Sequence, residues 1–319
     1  MTKIDYSDTY ILQLFELQYN YNEVFRKYCN VLGKNPAKVH NVNEIPYLPI
    51  SAFKYQAIKT GEFTPQQIFL SSGTTGGTDL RSKHFVKDLQ QYLDNAAEIW
   101  TETFGNVEDF CFLALLPGYL ERDGSSLIAM MHYFISKSKF SQSGFFLSEF
   151  EELKKTLRQN TLDKVPTVLF GVSYALLDFG HYVDFSIPSV MVMETGGMKG
   201  TREELPKEVL HTTLCNLYGV DTIFSEYGMT ELLSQAYSKG KGKFAGSSRL
   251  KIHTRQINDP LSREKYGKPG ILAVMDLANA DSCCFILTED IGVSYASGEF
   301  EIIGRLDNSE VRGCNLLLS

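Results

Sequence analysis

Between residues 110 and 224, four short apolar runs alternate with segments of helical character, and this alternation narrows the possible folds more than any other feature. The runs are residues 110–116, 167–170, 190–193 and 222–224. Each is rich in β-branched or aromatic residues and is bounded by Pro, Gly or charge, as strands buried on both faces are. Between them, Ser148 followed three residues later by Glu151 predicts a capping box opening a helix to about Arg158. Thr201 with Glu204 predicts a second, opening a helix to about Leu217. Strands alternating with helices imply a mostly parallel sheet with helices on both faces, an α/β fold.

The flanking segments read differently. Ile11, Leu12, Phe15, Leu17, Phe25 and Tyr28 suit one or two amphipathic helices over residues 8–32. Pro36, Pro46 and Pro49 mark a connection, and residues 87–101 predict a helix with Leu89, Tyr92, Leu93, Ala96 and Trp100 on one side. After residue 245, short strands separated by turns follow at 251–257, 271–275, 284–287 and 299–303. The expected organisation is an α/β core with a helical N-terminal segment over 1–245 and a β-rich closing subdomain over 246–319.

Charge and cysteine usage exclude several classes. A formal net charge of −7 gives no overall attraction to nucleic acid or anionic lipid. The six cysteines are scattered, with no CxxC pair and no disulfide framework, so reduced thiols are expected. No apolar run reaches the length of a membrane span, and Met1-Thr2-Lys3-Ile4 does not open a signal peptide. A cytoplasmic protein is expected.

Three segments carry chemistry. Phe69 and Leu70 lead into Ser71, Ser72, Gly73, Thr74, Thr75, Gly76 and Gly77. Glycines let backbone N–H groups converge on an anion, and the hydroxyls add donors, so the loop suits phosphate oxygens. A Walker sequence and a GxGxxG sequence are both absent, and a solvated surface turn fits the same residues. The second segment, Phe224-Ser225-Glu226-Tyr227-Gly228-Met229-Thr230-Glu231, ends a strand on an aromatic ring and carboxylates. A ring there can stack on a base and Glu231 can hold Mg²⁺ beside phosphates. A strand-to-helix turn, with Glu231 at a helix N-terminus, is the structural alternative. In the third, Asp290 can accept two hydrogen bonds from ribose hydroxyls, or open a turn with Gly292.

In this order, the segments resemble the adenylate-forming superfamily of acyl-CoA ligases and luciferase-like enzymes, over roughly residues 45–319. Residues 71–77 are similar to its phosphate loop and Tyr227-Gly228-Met229-Thr230-Glu231 to its YGxTE signature. Asp290 is similar to its ribose aspartate and Gly304-Arg305 to its hinge-proximal pair. Gly196 and Gly197 fall where the backbone lies against adenine. Within the superfamily the chain looks most like the LuxE-type acyl-protein synthetases. It shares the entry segment Leu48-Pro49-Ile50-Ser51-Ala52-Phe53-Lys54, and Cys314 near the end resembles the acyl-accepting cysteine. The mobile C-terminal ligase domain is expected to be absent. The Pro-Lys that follows the loop in most acyl-CoA ligases is missing, leaving Arg81 or Lys83 to supply the cation.

The resemblance implies ATP and Mg²⁺ as cofactors. Ser72, Thr74 and Thr75 would bind phosphate, Glu231 the metal, and Thr230 and Glu231 the reacting centre. The implied reaction converts a fatty or other carboxylic acid to an acyl-adenylate and passes the acyl group to Cys314. From there it goes to an acyl-accepting protein, a reductase or carrier. Two alternatives stand: a ligase acylating CoA or a carrier without a covalent intermediate, and a non-catalytic nucleotide-binding module. Cys283 and Cys284 read as core, His132 as a core histidine, residues 239–243 as a solvated loop, and His84 as either a phosphate contact or a surface residue.

Overall fold

The computed structural model describes residues 6–71, 81–117, 124–196 and 205–306. The chain opens with helices α1 (Asp8–Tyr21) and α2 (Glu23–Val31), separated by Asn22, whose side-chain oxygen caps α2 by accepting from Phe25 N at 3.0 Å. Next come β1 (Leu48–Pro49), the short helix α3 (Ala52–Tyr55), strands β2 (Gln67–Leu70) and β3 (Lys83–Val86), and α4 (Leu89–Phe104). The alternating region contains β4 (Cys111–Leu115), α5 (Ser126–Lys137), β5 (Gly144–Phe146), α6 (Phe150–Leu162), β6 (Thr167–Val172) and α7 (Ser173–Tyr182). It continues with β7 (Met191–Thr195), α8 (Lys207–Tyr218), β8 (Phe224–Tyr227), β9 (Ala236–Ser238) and β10 (Lys243–Ala245). Four strands close the described chain: β11 (Leu250–Arg255), β12 (Pro269–Asp276), β13 (Phe285–Ser294) and β14 (Glu299–Arg305).

These elements form two compact units, one of residues 1–95, 229–235 and 245–319, the other of residues 96–228 and 236–244. In the second unit, β5, β4, β6, β7 and β8 lie side by side and all pair in parallel, as the alternation requires. β9 adds to β8 antiparallel. Every residue of β4 and β6 is buried, which is why their sequences run apolar without alternation. Beneath this sheet Trp100 is fully buried against Phe104, Phe112, Phe134 and Tyr237, with ring centroids 4.6–5.6 Å apart. Gly219 closes α8 at φ +64, and a Cβ there would lie 2.4 Å from Ser186 Oγ, so the position needs glycine twice over.

In the first unit, β11, β12, β13 and β14 form an antiparallel meander. β1 pairs in parallel with Ile286 and Leu287, while β14 pairs with residues 290–294 of the same strand. The helical N-terminus belongs to this unit. Phe15 and Phe25 pack on Phe285, and Gln18 is fully buried, giving Nε2 to Asn279 O and Ala280 O and taking Cys284 N. Residues 6–95 therefore group with the late strands, whereas the sequence alone placed them with the parallel core.

Two local expectations are corrected. Ser148 does not cap α6: the N-cap is Glu149, whose carboxylate folds back to accept from Leu147 N at 2.8 Å and Ser148 N at 3.0 Å. Glu149 thereby takes the Ser148 N–H that Glu151 would accept in a capping box. His132 is exposed rather than core, because Met130, Met131 and Phe134 define the buried stripe of α5 and His132 falls off it. Thr201 and Glu204 lie outside the described residues, and the described part of α8 begins at Lys207, after Pro206.

Candidate functional site

The glutamate that sequence reading put at the reacting centre ends up in a loop held almost entirely by side chains. Residues 230–235 continue neither strand nor helix, so Glu231 does not open a helix. Backbone groups in such a segment need partners from elsewhere. Asp276, fully buried at the end of β12, supplies them at one end: it accepts from Leu233 N at 2.7 Å, Ser234 N at 3.1 Å and Ser234 Oγ at 2.7 Å. Burial raises the Asp276 carboxyl, and these hydrogen bonds oppose that rise. At the other end Asn279 Nδ2 donates to Glu231 O at 2.8 Å, and His84 Nδ1 lies 2.8 Å from Thr230 O.

His84 is 1% exposed, between its Thr230 contact and Asn279 Oδ1 at 3.1 Å from Nε2. It is neither a surface residue nor, in this geometry, free to meet a phosphate. Burial pushes it down to about 4, so at neutral pH the ring has one N–H. The shorter contact, to Thr230 O, is where we place that proton. The Asn279 amide is oriented by its donation to Glu231 O, so its oxygen lies against the unprotonated Nε2 and that 3.1 Å approach is a packing contact rather than a hydrogen bond.

Glu231 is 5% exposed. Burial raises its carboxyl, while the Ser82 hydroxyl and the charges of Lys54 and Arg305 pull the other way. Ser82 also ties this carboxylate to the predicted phosphate loop, because Ser82 N donates to Ser71 Oγ at 3.0 Å and Ser71 N to Ser82 O at 3.1 Å. Phe69 sits opposite His84 across β2 and β3, so Ser71 and Ser82 flank the base of that loop. Ser72, Gly73, Thr74, Thr75 and Gly76 lie outside the described residues, as do Gly197 and Cys314. Among the described residues no cluster of three His, Cys, Asp or Glu side chains stands ready for a metal. A single carboxylate still fits Mg²⁺, which binds through one or two carboxylates plus substrate phosphates and keeps several waters.

Asp290 lies within β13, directly opposite Arg305 on β14. It is therefore a strand residue rather than the start of a turn. Arg305 Nε is 3.8 Å from Asp290 Oδ1, and its Nη2 is 3.4 Å from Glu289 Oε2. Arg305 is thus shared by two carboxylates and also influences Glu231. The first unit brings together Ser71, Thr230, Glu231, Asp290 and Arg305.

The other described residues predicted for the site, Gly196, Tyr227 and Gly228, belong to the second unit. Tyr227 ends β8 with its ring buried against Phe244 at 5.9 Å, and Gly228 is exposed. Gly196 follows β7 at φ +66, its carbonyl accepting from Ser173 Oγ at 2.8 Å. Beside it, Glu194 is 3% exposed and meets Lys207 Nζ at 3.0 Å, Ser173 Oγ at 3.2 Å and His211 Nε2 at 3.4 Å. Burial opposes ionisation, but His211, Lys207 and Ser225 hold this carboxyl at about 2. Sequence reading singled out His84 for other roles and missed Asn279, Asp276 and Glu194.

The architecture is that of the adenylate-forming ligases. The chain superposes on 2-hydroxyisobutyryl-CoA ligase in complex with 2-HIB-AMP and CoA with a TM-score of 0.65 and 11% identity, over 94% of this chain and 70% of that one. ATP-bound MatB from Rhodopseudomonas palustris gives a TM-score of 0.55 at 14% identity, over 75% and 47% of the two chains. The chain belongs to the acyl-protein synthetase, LuxE, family, whose model matches residues 114–319. It is 36% identical to a long-chain-fatty-acid–luciferin-component ligase of Aliivibrio fischeri, over 98% of this chain and 87% of that protein. It is also 27% identical to a 2-succinylbenzoate–CoA ligase of Haemophilus influenzae, over 80% of its own length and only 52% of that relative. Among the described residues no helix is long and apolar enough to cross a membrane.

Proposed function

We propose that the protein is an acid–thiol ligase. It activates a carboxylic acid, a fatty acid first of all, with ATP to an acyl-adenylate, then transfers the acyl group to the Cys314 thiol. The observation that carries this reading is the grouping of Ser71, Ser82, Glu231, Arg305 and Asp290 in one unit. A family relative named as a long-chain-fatty-acid ligase supports the acid class.

In the first step a carboxylate oxygen attacks the α-phosphorus and pyrophosphate leaves. The protein's work is to position the reactants and offset negative charge. The loop after Ser71 would hold phosphate oxygens, Asp290 the ribose, and Arg305 would bring positive charge near both. Mg²⁺, when bound through Glu231 and the phosphates, would neutralise charge on the leaving pyrophosphate. In the second step a thiolate attacks the acyl carbon and AMP leaves, giving a thioester. Cys29, Cys111, Cys215, Cys283 and Cys284 are all pushed up by burial, and four of them are buried, which suits them to packing rather than attack. That leaves Cys314 as the acceptor favoured by the family. An acyl-accepting protein or CoA would then take the acyl group.

The test has two parts. Pyrophosphate exchange into ATP should depend on one class of carboxylic acid. Labelled acid plus ATP should leave a hydroxylamine-labile label on the wild type and none on Cys314→Ala. Exchange with no acid at all would defeat the proposal. A label of equal strength on Cys314→Ala would place the acyl group on another residue, and a free acyl-CoA product formed equally well by Cys314→Ala would favour a ligase without a covalent intermediate.

A further inference from the structure

Thr230 O, His84, Asn279 and Glu231 O form a closed ring of contacts, completed by the peptide bond between Thr230 and Glu231. The distances are 2.8 Å, 3.1 Å and 2.8 Å around the ring. His84 and Asn279 are 1% and 0% exposed, so water cannot replace either one without opening the unit. The two residues come from β3 and from the turn between β12 and β13, and lie 146 and 48 positions away from the residues they hold. That turn is itself anchored: Asn279 N donates to Asp276 O at 3.0 Å, and Asn279 O accepts from Gln18 Nε2 at 3.2 Å. The clasp is therefore fixed to the β sheet on one side and to α1 on the other.

We propose that His84 and Asn279 are positioning residues. By holding two successive carbonyls they set the direction in which the Thr230 hydroxyl and the Glu231 carboxylate are presented to the nucleotide. This rests on the nucleotide reading above. A carbonyl held from one side fixes a point. Two successive carbonyls, each held by its own buried donor, fix the plane of the peptide between them, and with it the Cα–Cβ direction of Glu231. Asp276 performs the same service two residues later through the amides of Leu233 and Ser234. A loop with no ladder of its own is thereby as fixed as a strand, and rigid presentation is what electrostatic stabilisation of a transition state demands.

The experiment compares His84→Ala, His84→Gln and Asn279→Ala in the full chain. Hydrogen exchange of residues 229–235 in the nucleotide-free protein is followed by mass spectrometry, with ATP affinity by equilibrium dialysis and steady-state pyrophosphate exchange. For His84→Ala and Asn279→Ala the segment should exchange faster, and kcat should fall about 10–100-fold with KM for the acid unchanged. His84→Gln, which keeps one donor toward Thr230 O, should recover at least a third of kcat. Unchanged kcat alongside faster exchange would overturn the proposal, as would a loss of activity in strict proportion to unfolded protein. Should an alanine variant fail to fold, the His84→Gln comparison decides. Wild type lacking pyrophosphate exchange with every acid would defeat the functional reading instead. Local hydrogen exchange and ATP affinity would then judge the clasp alone.

Discussion

Replacing Glu194 by glutamine isolates the contribution of one buried charge. The carboxyl is held at about 2, against its ordinary 4.5, by His211, Lys207 and Ser225 acting against burial. That difference corresponds to about 3 kcal/mol of stability at neutral pH. The folded value lies below the unfolded one, so the contribution is complete above about pH 5 and drains away as the pH falls toward 2. Glu194→Gln preserves shape and one acceptor oxygen but removes the charge, and Lys207 is open enough to water to tolerate the loss. The expected cost is about 2–3 kcal/mol at pH 7. The single tryptophan, Trp100, lies in the same unit as Glu194, so its fluorescence reports the unfolding of that unit. Urea titrations of wild type and variant at pH 7, 5, 4 and 3 should give a gap that narrows below pH 4.5 and is under about 1 kcal/mol at pH 3. A gap of constant size across this range, or none at pH 7, would refute the argument.

Two further outcomes follow from the first unit. Asp276→Asn turns an amide NH₂ toward N–H and O–H donors that the carboxylate now satisfies, so unfolding should cost about 2–4 kcal/mol less by urea titration with circular dichroism. Asp290→Ala removes one of the two carboxylates that flank Arg305 and, with it, the proposed ribose acceptor. KM for ATP in pyrophosphate exchange should rise about tenfold, with KM for the acid unmoved.

The parallel core was legible because its strands are buried on both faces. Continuous apolar runs such as residues 111–115 have no other economical explanation. Glu231 and Asp290 could be singled out as candidates because they sit in short, ordered signatures. The roles of His84, Asn279 and Asp276 could not be read, since each acts on a backbone group far away in sequence and leaves no local period or spacing. Gln18 illustrates the same limit: a glutamine on an amphipathic helix looks like surface, yet it is fully buried, bonded to a turn more than 260 residues away. Such partners decide which unit the N-terminal helices join, and helical periodicity carries no information about that choice. The misread cap at Ser148 has a different cause. The rule pairs Ser148 with Glu151, whereas Glu149, one residue on, accepts from the Ser148 amide and itself takes the cap position.

The chain passes between its two units at 95/96, 228/229, 235/236 and 244/245. During synthesis, then, α1 and α2 leave the ribosome long before the strand they cover. At about 5–20 residues per second, roughly 10–40 s separate Asn95 from the end of β14. We expect a nascent chain halted before β13 to show a protease-sensitive N-terminus beside a more resistant parallel sheet, and uniform resistance would contradict this. Phe15, Phe25 and Gln18 would spend that interval without their native partner Phe285 or the turn before it. The early segment is thus the part of the newborn protein most in need of a chaperone's cover.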